Sequence, residues 1–302
     1  MLIKRILTAV VGIPLILGLI ALDDLPALGL GPDLLGLPLL VLVAGLTALA
    51  CEEYSRLLKQ GGLKPYPSLA MMMGLLPLPL IQVVRGTPPN WLLLLLTLGL
   101  VFDILMIALA LISDVSKWSW KAIRSFFITA GGGLFIGGCF SFLLLLRIDW
   151  LGMGLWAVVL AFVATWVLDA VGYLIGRKWG AHKLWPQISP GKSWEGSVAG
   201  LLAAVAFSAG VLWASAWAQG HAQPGAAPLD VLARIGPGGA ILIGAIIGLA
   251  GQGGDLLESW FKRRVGVKDS GALLPGHGGI LDRFDSLLLT APTLFFILLA
   301  LR

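Results

Sequence analysis

The chain has 302 residues, 58% hydrophobic and only 12% charged, with a formal net charge of +5 and a mean hydropathy of +0.94. That much apolar surface exceeds what a soluble domain needs, and the apolar runs are continuous rather than alternating, which excludes a transmembrane barrel. The two cysteines, Cys51 and Cys139, sit in or beside apolar runs and support neither a disulfide framework nor a thiolate metal site; a basic balance in such a chain reports cytoplasmic loops rather than nucleic-acid binding.

The expected fold is therefore all-α: a polytopic integral membrane protein of about nine transmembrane helices with a cytoplasmic N-terminus. The first helix starts beside Lys4 and Arg5 and runs to Leu22; it looks like a signal peptide but carries no clear cleavage site, so it is read as retained. The second covers about 34–50 and ends at Glu52, Glu53, Arg56 and Lys59. The third covers about 68–84 and the fourth about 91–112, with Asp103 midway along it. A basic linker with Lys117, Lys121 and Arg124 leads to the fifth, about 126–146, whose Gly131–Gly133 and Gly137–Gly138 suit close helix packing. The sixth covers about 151–175, the seventh 197–218, the eighth 238–257 and the ninth 280–301; each run approaches the roughly 20 residues that a bilayer core requires. Three blocks follow from this count: 1–85 with helices one to three, 86–150 with helices four and five, and a catalytic block, 151–302, with helices six to nine. Alternating the spans from a cytoplasmic N-terminus puts 17 of the 21 Lys and Arg inside, leaving Arg85, Arg147, Arg234 and Arg302 outside. Tryptophans such as Trp91, Trp118, Trp120, Trp150, Trp156 and Trp260 suit an interface belt.

Two predicted cytoplasmic loops collect most of the polar chemistry. The first runs from Asp169 through Arg177, Lys178, His182 and Lys183 to Ser189, Lys192 and Glu195. The second, Gly254–Ser286, packs five acidic residues, five basic ones and His277 between two apolar runs. Carboxylates at headgroup depth with few thiols or imidazoles suit a hard cation such as Mg²⁺. Lys, Arg and glycine-rich backbone beside them suit phosphates. Together they equip a reaction at phosphorus, where positioning and charge neutralisation do most of the catalysis. Asp255 and Glu258 share a helix face, as do Asp282 and Asp285. If helices eight and nine are antiparallel neighbours, Asp255 and Asp282 can meet at one metal.

Each feature also has a plainer reading. Acids beside Lys and Arg at a helix end usually form a solvated ion-pair cluster, which is the competing account of Glu258 and Asp269. Asp255 and Asp282 lie closer to the apolar runs, where an unpaired charge costs about 2.5–3.5 kcal/mol, and this favours function. His277 can be a turn residue, and Lys262, Arg263 and Arg264 can simply set topology. The small residues Gly172, Gly176, Gly200, Gly244, Gly248, Gly251, Gly253 and Gly254 either let backbones approach or leave a gap for a lipid.

The second loop reads Ser259-x-x-Lys262-Arg263-x-x-x-x-Lys268-Asp269-x-Gly271-x-x-Leu274-Pro275-Gly276-His277-Gly278-Gly279-Ile280-x-Asp282-Arg283-Phe284-Asp285. This resembles the signature of the phosphatidate cytidylyltransferases, the CDP-diacylglycerol synthases, and the first loop, with Ile188-Ser189-Pro190 and Lys192-Ser193-Trp194-Glu195-Gly196, is similar to the same family. The departures are Ala170-Val171 after Asp169 and Ser193 where Thr is common. The resemblance implies that CTP and phosphatidic acid form CDP-diacylglycerol and pyrophosphate in the cytoplasmic membrane, with the site facing the cytoplasm. It implies Mg²⁺, with K⁺ as a second cation. It carries Asp255, Asp282, Lys268 and Asp285 over as catalytic, and Asp255, Asp282, Glu258 and Asp169 as metal-site acids. Lys192, Ser189, Arg263, Asp269, His277, Arg283, Glu195 and Arg177 become substrate contacts. The implied partners are CTP, phosphatidic acid and membrane lipid, with a second copy of the chain as a further candidate and no nucleic acid. An ion-coupled transporter would instead place its polar groups near the midplane, and the DGxxAR…GxxxDxxxD pattern of the CDP-alcohol phosphotransferases is absent.

Overall fold

The computed structural model describes residues 13–22, 37–84, 119–147, 154–222, 230–271, 273 and 278–301. The predicted fourth span with Asp103, and His277 of the glycine-rich turn, lie outside them.

The described chain is helical apart from one short hairpin. In order it forms α1 (Ile13–Leu22), α2 (Leu37–Gln60), α3 (Pro67–Leu75), α4 (Pro77–Val84), α5 (Trp120–Arg147), α6 (Gly154–Trp179), β1 (Lys183–Trp185), β2 (Ser189–Ser193), α7 (Trp194–Ala222), α8 (Asp230–Arg264) and α9 (Leu281–Ala300). Among the described residues six helices are long and apolar enough to cross a membrane: α2, α5, α6, α7 over Trp194–Ala214, α8 over Gly236–Arg264, and α9. At 1.5 Å per residue the 24 residues of α2 extend about 36 Å, enough for a hydrocarbon core of about 30 Å. Exposed Leu15, Val41, Phe127, Leu174, Leu202, Trp213, Leu242 and Phe296 are the side chains that a lipid environment accommodates and water would not. The protein is a multi-pass helical membrane protein.

Several boundaries differ from the sequence expectation for local reasons. Helix α2 runs ten residues past Ala50, because Leu57 and Leu58 bury on it and Glu52 and Arg56 pair at i,i+4. The third predicted span is two short helices, each beginning at a proline, where the missing N–H costs nothing. Helix α8 has a kink at Gly236 (φ 60°), beside Pro237. Its C-terminus closes with the N–H of Val267 on the carbonyl of Lys262 and that of Gly266 (φ 78°) on Arg263, a Schellman end that needs a left-handed residue.

The chain divides into two compact units: 1–144 with 262–283, and 145–261 with 284–302. In the first, Leu39, Val43, Ala50 and Leu57 of α2 and Phe140, Leu143 and Leu144 of α5 are fully buried. Helices α3 and α5 touch backbone to backbone, with Gly137 against the carbonyl of Gly74 and Gly133 against that of Ala70. The Tyr54 ring fills the space over Gly132 while its hydroxyl donates to the carbonyl of Ile128 at 2.9 Å. A side chain at Gly137 would overlap backbone that cannot swing aside. Gly137→Leu is therefore expected to destabilise the purified protein by about 1–3 kcal/mol or more, seen as a lower midpoint in a thermal melt in detergent; an unchanged midpoint would refute this contact.

In the second unit the core is Val158, Leu160, Ala161 and Phe162 of α6, with Phe284 edge-on to Phe162 at 6.3 Å between ring centroids. Most of the glycines singled out in the sequence are packing contacts. Gly172 and Gly176 of α6 meet Gly196 and Gly200 of α7; Gly244 and Gly248 of α8 meet Val205, Leu201 and Ala204 of α7; Gly251 meets Thr290 of α9. A Cβ at Gly254 would lie 2.5 Å from the Asp285 carbonyl oxygen, so α8 and α9 come together beside their acids.

Candidate active site

In the second unit, the predicted first loop is largely structured. Strands β1 and β2 pair antiparallel, Lys183 with Ser193 and Trp185 with Ser189. Ser193 then caps α7, its hydroxyl accepting the Gly196 N–H at 3.2 Å, and the Trp194 N–H donates to the His182 carbonyl at 2.9 Å. Glu195, in the first turn of α7, pairs with His182 Nδ1 at 2.7 Å and accepts the His182 backbone N–H at 3.1 Å. This ties the end of α6 to the start of α7. The period-2 signal of so short a hairpin, interrupted by Pro190 and Gly191, was too weak to read from sequence.

The hairpin carries Lys192, whose Nζ lies 2.6 Å from Asp255 Oδ2 on α8. The Ser259 hydroxyl, one turn on, donates to Asp255 Oδ1 at 3.3 Å. Asp285 of α9 is 5% exposed and has three carboxylates near enough for their charges to act on it, Asp255, Glu258 and Asp169. Glu258 is also 5% exposed. Asp285 Oδ1 accepts the Ser286 N–H at 2.6 Å. Three of the four acids expected from sequence at a cation, Asp169, Asp255 and Glu258, lie near Asp285 in this unit; the fourth, Asp282, belongs to the first unit.

In the first unit, Asp282 in the first turn of α9 is held on all sides. Its Oδ1 accepts Lys262 Nζ at 2.6 Å and the Ser270 N–H at 3.1 Å; its Oδ2 accepts the N–H groups of Gly279 at 2.7 Å and Ser270 at 2.9 Å. Lys262 and Asp282 side chains are only about one-tenth exposed. Sequence reasoning placed Lys262 in the quoted signature, with topology as its plainer reading, and did not single out Ser270. It placed Glu53 at a helix end, in a stretch that resembles the family only loosely, whereas Glu53 accepts hydrogen bonds from Ser270, Ile280 and Leu281. A carboxylate following a long apolar run was the available signal; its partners lie more than 200 residues away in the chain.

The remaining predicted contacts are surface groups. Arg177, Arg263, Lys268, Asp269 and Arg283 are exposed, and Ser189 is half-buried in β2. Arg177 Nη1 donates to the Tyr173 hydroxyl at 3.2 Å, and Arg263 Nη1 to the Val267 carbonyl at 3.0 Å.

Among the described residues, no three His, Cys, Asp or Glu side chains are drawn together tightly enough to hold a metal ion by themselves. That does not disqualify Mg²⁺, which is commonly held by one or two carboxylates plus substrate phosphates and waters. The second unit offers a partly buried, all-oxygen acidic cluster, with Asp169 exposed and Asp255 half-buried, so the residues present fit a hard divalent ion.

Comparison with known proteins gives two findings. The profile of a family described as "Cytidylyltransferase family" matches residues 3–301. Among curated proteins, the chain is 42% identical over 146 residues to the phosphatidate cytidylyltransferase of Staphylococcus saprophyticus, 42% over 148 residues to that of Staphylococcus aureus, and 41% over 146 residues to that of Staphylococcus haemolyticus. Each match covers 48% of this chain and 50% of the relative, so the chain spans about half the length of the curated relatives it matches.

Proposed function

The chain belongs to the cytidylyltransferase family, and from that premise we propose that it transfers the cytidylyl group of CTP to phosphatidic acid. An anionic phosphate oxygen of phosphatidic acid attacks the α-phosphorus of CTP. The bond from that phosphorus to the bridging oxygen breaks, and pyrophosphate leaves with the electron pair, giving CDP-diacylglycerol. The attacking phosphate is already ionised at neutral pH, so the step requires no strong general base.

The observation that carries this reading is the matched motif itself, whose acids and amines are held in ordered clusters rather than as scattered surface charge: Lys192 on Asp255, the acids around Asp285, and Lys262 on Asp282. The motif assigns Asp255 and Asp282 to the metal site, with Glu258, Asp285 and Asp169 as supporting acids and K⁺ as a second cation. The chemistry supplied by Mg²⁺ when bound is neutralisation of the triphosphate and of the leaving pyrophosphate. Lys192 takes a share of that charge. Exposed Lys268, Arg263, Arg283 and Arg177 bind phosphate oxygens, and Ser189, Asp269, His277 and Glu195 complete the substrate contacts. CTP cannot enter hydrocarbon, and phosphatidic acid cannot leave it without exposing acyl chains at about 0.8 kcal/mol per CH₂, so the two meet at headgroup depth. The split of 17 inside to 4 outside among Lys and Arg supports nine spans, a cytoplasmic N-terminus and a site facing the cytoplasm of the inner membrane.

The test is incubation of purified protein in phosphatidic acid micelles with labelled CTP and Mg²⁺. CDP-diacylglycerol and pyrophosphate should appear one for one. CTP-independent ion flux in proteoliposomes with no lipid product would overturn the reading in favour of a transporter. Lys192→Ala should lower kcat/KM for CTP by about 10–150-fold, the loss of one charge-assisted contact worth about 1.5–3 kcal/mol. Unchanged kinetics in that variant would leave Lys192 with its ion pair alone.

A further inference from the structure

We infer that Glu53, on α2, is a positioning residue for the motif acid Asp282; this rests on the proposed cytidylyl transfer. Glu53 is 3% exposed, seven residues from the end of a helix long enough to span a membrane. Its Oε1 accepts the Ile280 N–H at 2.9 Å, and its Oε2 accepts the Leu281 N–H at 2.8 Å and the Ser270 hydroxyl at 3.1 Å. Ile280 and Leu281 open α9, and the first N–H groups of a helix have no partner within it. A carboxylate supplied from another helix satisfies two of them and lies at the end of the axis where negative charge is stabilised.

The same few atoms hold Asp282. Ser270 gives its hydroxyl to Glu53 and its N–H to Asp282; Gly279 gives its N–H to Asp282, and the next two residues give theirs to Glu53. The two carboxylates therefore grip alternate donors on the same two pieces of backbone. Asp282 cannot keep both oxygens in place if Ser270 and Gly279 move, and Glu53 is what holds the neighbours of both. The sequence is shaped around this grip. A Cβ at Gly271 would lie 2.7 Å from Glu53 Oε1, and one at Gly279 would overlap both Glu53 Oε2 and the Ser270 hydroxyl. These two motif glycines thus make room for the Glu53 side chain. The hydrogen bonds of Glu53 fall on Ser270, Ile280 and Leu281, the residues that flank the donors of Asp282, so its effect passes through Asp282.

The test is Glu53→Gln in the full chain. Gln keeps the volume but offers one acceptor oxygen, and its NH₂ meets groups that are themselves donors. Losses of supporting hydrogen bonds around a metal site are typically about 10–100-fold. We expect kcat to fall by about that factor with KM for CTP changed by less than about threefold, and the Mg²⁺ concentration for half-maximal rate to rise. Hydrogen–deuterium exchange, read without substrate, should increase at the amides of Ser270, Ile280 and Leu281 and not in α6 or α7. Ser270→Ala removes only the hydroxyl contact and should show the same pattern more weakly, which keeps the inference testable if Glu53→Gln does not accumulate. Wild-type exchange at those amides, or folded variant protein with unchanged kcat and Mg²⁺ response, would overturn it. A wild-type protein that forms no lipid product would instead refute the proposed reaction, while the exchange result would still report on the grip itself.

Discussion

Asp282→Asn is expected to lower turnover by at least about 10²-fold, the scale on which a single charge-stabilising group acts in a transition state. The carboxylate accepts from Lys262, from Gly279 and, through both oxygens, from Ser270. Asn offers one oxygen to this set and turns an NH₂ toward the rest. The loss of charge also breaks the ion pair with Lys262, and breaking a buried pair from one side costs about 3–5 kcal/mol. The single variant therefore mixes lost chemistry with lost stability. The double variant Asp282→Asn with Lys262→Gln removes both charges and should recover much of the thermal midpoint in detergent without recovering the proposed cytidylyl transfer. If the double variant regained both stability and rate, Asp282 would be no more than the partner of Lys262.

For Asp285 the expected signature is a lost response to metal. Three carboxylates, Asp255, Glu258 and Asp169, act on this buried side chain, and its Oδ1 already accepts the Ser286 N–H. Like charges in a poorly hydrated place repel: at an effective dielectric near 20, two unit charges about 7 Å apart repel by about 2 kcal/mol. A divalent ion held among these acids would reverse that balance. Saturating Mg²⁺ at about 100 times its dissociation constant should stabilise the wild type by about 2.7 kcal/mol, a rise of roughly 5–10 °C in the thermal midpoint. Asp285→Asn should be at least as stable as the wild type without Mg²⁺, should gain little from adding it, and should lose activity. An equal Mg²⁺ shift in both proteins would remove Asp285 from the cation site.

Much of the architecture was legible before any coordinates. Continuous apolar runs of about 20 residues can satisfy their backbone in a bilayer only as helices, so composition alone indicated the class and the approximate positions of α2, α5, α6, α7, α8 and α9. The motif acids and amines were legible for the same reason: charge is costly beside apolar runs, so its presence there is informative. The boundaries were less so. The run from Cys51 to Gln60 looked like a loop because its charges hide an i,i+4 pair and two buried leucines.

What the sequence by itself determined, then, was a helical membrane protein whose chemistry gathers in two polar stretches, because hydropathy and charge are properties of residues in place. Only the tertiary structure decided how those residues are partnered. Asp255 takes Lys192 from a hairpin more than 60 residues earlier, Asp282 takes Lys262, and Glu53 reaches Ser270 and the first amides of α9 from more than 200 residues away. A hydrogen bond depends on separations of about 3 Å between donor and acceptor. Such separations follow from how helices pack, and in this chain that packing is set by close glycine contacts such as Gly137 with Gly74 and Gly254 with Asp285, whose partners no local pattern in the sequence identifies.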